Sequence, residues 1–139
     1  MTTIEEALEG STPLAEKVRA AGPYQSTAEL IARIRAALPA LTEAEKVATL
    51  NAHPRIGEDP RHLSERSLRE QGDKAVPELD RLNDEYERRF GFRFVVFVNR
   101  RPKAQIVEAL QERLHRSREE EMEEGLRAIV AIAEDRLRA

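Results

Sequence analysis

Apolar residues recur at helical spacing along almost the whole chain, and one run breaks the pattern. That run is Phe92-Arg93-Phe94-Val95-Val96-Phe97-Val98, short, aromatic and β-branched. It has no obvious partner strand elsewhere in the sequence, and an isolated strand leaves its peptide groups without hydrogen bonds. A buried extended segment and a sheet strand both fit the run itself. The helical signals around it set the fold class. The chain reads as all-α, a compact multi-helix domain wrapped around one extended apolar segment at about residues 92–98.

Local signals place the helices. Ser11-Thr12-Pro13 before Leu14-Ala15-Glu16 gives a cap, a first-turn proline and a helix start. Leu30, Ile31, Ile34 and Leu38 form a helical stripe that Pro39 stops. Thr42 and Glu45 make a capping box for a helix carrying Val47 and Leu50. That helix runs into Asn51-Ala52-His53-Pro54. Pro54 disfavours helical backbone at His53, which therefore belongs at the helix end or just beyond it. Residues 54–62 read as a loop, and Ser64 to Gln71 as a short helix before Gly72-Asp73. Pro77 opens a helix with Leu79, Leu82, Tyr86 and Phe90, which Gly91 terminates. Two helices, over 102–116 and 118–138, complete the chain. No linker or internal repeat divides the 139 residues, so 1–139 reads as one domain.

Composition removes several functional classes. The 23 basic and 26 acidic residues leave a net charge of −3, with no basic excess to neutralise a phosphate backbone. Cysteine is absent, which excludes disulfides, thiolate nucleophiles and cysteine metal sites. The three histidines, His53, His62 and His115, form no His-x-x-x-His pair, so no standard metal spacing remains. No apolar run approaches the ~20 residues of a membrane helix. The acidic start, Met1 to Glu6, lacks a signal-peptide pattern. A cytoplasmic protein that binds neither nucleic acid nor membrane is the expectation.

Few residues are placed to do chemistry. His53 sits at an irregular joint, where a side chain can point into a cavity, and an imidazole suits proton transfer near neutral pH. The competing role is a ring that caps the carbonyls of the preceding helix. His62, beside Arg61, and His115, in a helix-ending turn with Arg113 and Arg116, read as surface residues. Ser67, Glu70 and Gln71 share one face of a short helix, offering a hydroxyl, a carboxylate and an amide, or simply a solvated polar face. Arg136 continues the apolar series Met122, Leu126, Ile129, Ala133. A guanidinium in that slot is either buried against a carboxylate, carbonyls or an anion, or snorkels to water near the helix end.

Four segments occur in a telling order. They are Ala52-His53-Pro54-Arg55-Ile56-Gly57, Ser67-x-x-Glu70-Gln71, Leu82-Asn83-x-x-Tyr86 leading to Arg89-Phe90-Gly91-Phe92-x-Phe94-Val95, and Ile132-Ala133-x-x-Arg136-Leu137. As an ordered set they resemble the 2-oxo-4-hydroxy-4-carboxy-5-ureidoimidazoline (OHCU) decarboxylase family, over essentially the whole chain. The resemblance implies an all-α homodimer that needs no metal or organic cofactor. It also implies conversion of the ureido-imidazoline carboxylate to (S)-allantoin and carbon dioxide in urate degradation. His53 is then the catalytic histidine, with Glu70 and Arg136 as its catalytic partners. Pro54, Ser67, Leu68, Arg69, Glu70 and Gln71, with Phe94, Val95, Val96, Phe97 and Val98, match the substrate-binding segments. Two departures stand out: Arg93 occupies a position where the family usually has proline, and the stretch from Gln71 to Leu82 is shorter than in many members. The competing functional classes are a non-catalytic helical interaction domain of the same fold and a hydrolase acting on a related ureide.

Overall fold

Side-chain caps set where most of the helices begin. The computed structural model describes residues 2–55 and 77–139. Thr3 and Glu6 form a reciprocal box at the start of α1 (Ile4–Ala7). Thr12 accepts the Ala15 N–H at 3.1 Å, and Pro13 occupies the first turn of α2 (Pro13–Ala20). Ser26 caps α3 (Thr27–Ala37), which tightens into a 3-10 turn, Leu38–Ala40, around Pro39. The expected Thr42–Glu45 box opens α4 (Glu43–Asn51). Next comes α5 (Pro77–Phe90), followed by Gly91 at φ +83°, whose N–H closes on the Glu87 carbonyl. α6 (Lys103–Arg113) ends before the expected residue 116. His115 and Arg116 instead close tight turns on the Glu112 and Arg113 carbonyls, which frees Ser117 to cap α7 (Arg118–Arg138).

The long helix α7 is the element around which the others gather. It packs against α1, α3 and α4; α2 lies on α3 and α4, and α5 packs on α6. Leu126, Ile129 and Ala133 face inward with Leu14, Ile34, Leu50 and Leu110 in one continuous core. At the α4–α7 crossing a Cβ on Gly125 would come within 2.7 Å of Leu50 Cδ2, so glycine permits this approach. No helix of the described residues is long and apolar enough to cross a membrane.

The apolar run is an extended segment and not a strand: residues 93–98 join no ladder among the described residues. Its Phe92 and Phe94 rings are buried against Tyr86, with ring centroids 6.1 Å and 5.3 Å away. Arginines supply the hydrogen bonds that a neighbouring strand would otherwise give. Arg113 donates to the Val95 carbonyl at 3.1 Å and stacks 4.6 Å over the Phe94 ring. Arg101 reaches back to the Phe97 and Val98 carbonyls, and the segment ends in a turn at Asn99 and Arg100, both at positive φ.

Arg113 is itself buried and paired. Its Nε lies 2.7 Å from Glu121 Oε1, an oxygen that also accepts the Tyr86 hydroxyl at 2.7 Å. Burial, aided by this bond to a carboxylate, pushes the Tyr86 phenol well above its usual range. Breaking one side of a buried ion pair strands the other charge, at a cost of about 3–5 kcal/mol. Glu121→Ala is therefore expected to lower the unfolding free energy by about that amount in urea titration. Replacing Glu121 and Arg113 together by methionine is expected to cost less than the single change.

Candidate active site

His53 owes its position to the way α4 stops. Ala52 caps the helix, and the His53 N–H makes one last, tightened bond to the Leu50 carbonyl at 3.2 Å. Pro54 has no N–H to continue the pattern. The exposed carbonyls at this helix end are met by Arg93, whose Nη1 donates to Asn51 O and His53 O, both at 3.0 Å. The Arg93 N–H donates to Asn51 Oδ1 at 2.9 Å. Arg93 thus ties the extended segment to the residue under the imidazole, which proline, with neither donor, is unable to do. On the exit side, Arg55 is held on α5 by Asp84 at 2.7 Å and Glu87 at 2.9 Å.

The imidazole faces inward and is 4% exposed. Neither ring nitrogen makes a hydrogen bond to a described residue, so among these residues the ring does not cap α4. Burial pushes the His53 pKa down from 6.5 to about 4, because the charged ring loses water. The negative charge of Glu9 opposes the shift and the positive charge of Arg136 adds to it. The Thr49 carbonyl favours the protonated ring without a formed hydrogen bond. At neutral pH the ring is uncharged, able to accept a proton and to pass it on.

Arg136 takes the buried alternative. It is 3% exposed, with Nη2 2.8 Å from Glu9 Oε1 and Nη1 donating to the Glu6 carbonyl at 3.1 Å. Helix α7 therefore carries its guanidinium to the C-terminal end of α1, within electrostatic reach of His53. Glu9 is not signalled by the sequence: it is one acid in a heavily charged chain. Arg93 showed in the sequence only as a departure from the family pattern.

The other expected site residues divide between described and undescribed positions. Pro54 is half-buried next to His53. Phe94, Val95 and Val96 are buried, while Phe97 and Val98 are half-buried. The Val95 carbonyl accepts from Arg113, and the Phe97 and Val98 carbonyls accept from Arg101. Val96 and Phe97 line an open cleft of about 380 Å³ with Arg113, Glu124 and Arg127. Ser67, Leu68, Arg69, Glu70 and Gln71 lie outside the described residues, as does His62; His115 is exposed, as expected.

Known proteins resemble this chain along nearly its full length. The family model described as OHCU decarboxylase matches residues 1–138. A 2-oxo-4-hydroxy-4-carboxy-5-ureidoimidazoline decarboxylase of Haloferax volcanii is 31% identical, the match covering 95% of this chain and 83% of that protein. A bifunctional uric acid degradation protein of Bacillus subtilis is also 31% identical over 97% of the chain, which spans only 29% of that longer protein. Among solved structures, an OHCU decarboxylase crystallised in the presence of (S)-allantoin superposes with a TM-score of 0.75 at 25% identity, covering 96% of this chain and 92% of that one.

The buried, neutral imidazole leaves a mark on stability. An unfolded His53 takes its proton near pH 6.5 and the folded one near pH 4. Between these values the unfolded chain binds more protons, so stability falls as pH drops through this window. At about 1.4 kcal/mol per unit, the loss from this group approaches 3 kcal/mol. Urea unfolding of the wild type and His53→Asn between pH 7 and pH 4 is expected to show the wild type falling more steeply, by about that amount.

Proposed function

Because the chain belongs to the OHCU decarboxylase family, we propose that it converts 2-oxo-4-hydroxy-4-carboxy-5-ureidoimidazoline to (S)-allantoin and carbon dioxide, with His53 as its proton relay. The observation that carries the assignment is the imidazole of the His-Pro motif, buried and held neutral, within electrostatic reach of a buried guanidinium that sits 83 residues later in the chain. An imidazole isolated from water is suited to moving one proton and poorly suited to a surface role.

The substrate supplies its own electron sink. One ring carbon carries both the hydroxyl and the carboxyl, so the single ring double bond of the imidazoline joins the ureido-bearing carbon to nitrogen. When carbon dioxide leaves the carboxylate, its bonding pair forms a double bond between the two carbons, and the ring nitrogen takes up a proton from solvent, the one proton that the reaction consumes overall. The resulting enol must lose its hydroxyl proton, and the ureido-bearing carbon must gain one on a single face. Neutral His53 accepts the hydroxyl proton and returns it to that carbon, which sets the S configuration. This internal electron sink suits a reaction run without an organic cofactor.

The other groups hold and polarise the substrate. Arg136 presents a planar donor to a ring oxygen or the departing carboxylate. Glu70 orients the imidazole, Ser67 and Gln71 bind the ureido arm, and Pro54 with Leu68, Arg69 and the Phe94–Val98 segment completes the binding surface. The protein acts as one domain, as a homodimer, in the cytoplasm. The residue roles and the homodimer rest on the order of motifs along the chain, the single domain and the compartment on length and composition.

His53→Asn is expected to fold with a near-normal melting profile at neutral pH and to lose about 10²–10⁴-fold in kcat. Fresh substrate should be followed by carbon dioxide release and by optical rotation together. Allantoin formed racemically at the spontaneous rate supports the relay, whereas near-wild-type turnover rejects it. A wild-type protein that consumes the substrate without releasing carbon dioxide would be a hydrolase.

A further inference from the structure

Helix α1 ends in an unusual way. Leu8 caps it, the Gly10 N–H closes on the Glu5 carbonyl at 2.7 Å, and the intervening Glu9 has φ +58°. This is the left-handed helix ending in which the position after the cap is normally glycine, since any Cβ there is strained. The chain instead places glycine one residue later, at φ +101° with open space around it, and puts a glutamate at the strained position. The Glu9 side chain is 9% exposed and points at the Arg136 guanidinium, 2.8 Å away. Backbone strain combined with a buried charge is a pattern that folding alone does not favour, because apolar residues of similar size would pack there at lower cost.

The same turn grips Arg136 twice, through the Glu9 carboxylate and the Glu6 carbonyl. Among the described residues, charged groups reach the imidazole and its backbone from three directions: Glu9 after α1, Arg136 on α7, and Arg93, which touches the His53 backbone carbonyl from the extended segment. We propose that Glu9 is a positioning residue for the decarboxylation: its carboxylate, turned inward by the left-handed backbone, holds the Arg136 guanidinium in one place beside His53. Glu9 acts through Arg136 and has no role in bond making. The inference rests on the assignment of His53 and Arg136 to the reaction.

Glu9→Gly separates the backbone from the charge, because glycine suits the left-handed position and removes only the carboxylate. The expected result is a folded protein whose kcat/KM falls on the order of tenfold to a hundredfold, as for a misplaced substrate-binding group. Added formate, entering the vacated space, should recover part of the loss, while His53→Asn should not respond to formate. A Glu9→Gly enzyme within twofold of wild type overturns the proposal and leaves Glu9 as a strained turn residue. NMR of the His53 ring gives a readout that needs no turnover. Glu9→Gly makes the surroundings more positive, and the ring should stay neutral at pH values where the wild type has begun to protonate. Arg136→Met should shift protonation the opposite way. A His53 titration unmoved by both changes also overturns the proposal. A wild type that releases no carbon dioxide sinks the reaction assignment instead, and the NMR comparison still reports on the three-residue coupling.

Discussion

An extended segment buried without a neighbouring strand must find hydrogen bonds for its peptide groups elsewhere, and much of this structure follows from how that demand is met. Arginine is the answer in several places. Its long stem lies along apolar surface while its donors reach backbone carbonyls, and its planar head stacks on aromatic rings. Arg113 serves Val95 and covers Phe94. Arg118 serves Phe90 from the start of α7 and lies over Phe92. The segment is thereby pinned between α5 and the last two helices, with Glu121 balancing the deepest of these charges. This chain holds the run by bringing arginines against it and neutralising the deepest of them with Glu121.

The same economy of contacts fixes the imidazole. Arg93 leaves the extended segment to close the end of α4, so the backbone beneath His53 is held from both α4 and the segment. Arg55 fastens the next stretch of chain to α5. The ring above this anchored backbone faces a water-poor interior, where burial outweighs the attraction of Glu9 and keeps it uncharged. Rigid placement and a neutral resting state are two consequences of a single helix ending.

Much of the architecture could be read in the sequence because helix boundaries are local chemistry. Thr12-Pro13, Thr42 with Glu45, Pro39 and Gly91 each act within one turn of where they sit. The ordered motifs pointed to the family that the comparisons then showed. What the sequence left open depends on long-range partners. Whether Arg136 was buried or solvated turned on Glu9, which lies at the opposite end of the chain and carries no local signature. Whether Phe92–Val98 was a strand or a lone segment turned on the distant Arg113. Arg93 stands in the sequence only as a departure from the family's proline, and its three hydrogen bonds emerge only when α4 and the segment are seen together.

The meeting of α1 with the end of α7 also closes the molecule on itself. The Thr2 hydroxyl donates to the Arg136 carbonyl at 3.2 Å, so the first and last helices run out side by side. Residues 2 and 136 therefore lie within a few ångströms of each other, so the interior is clamped where the first helix meets the last, and loosening either helix would loosen the other.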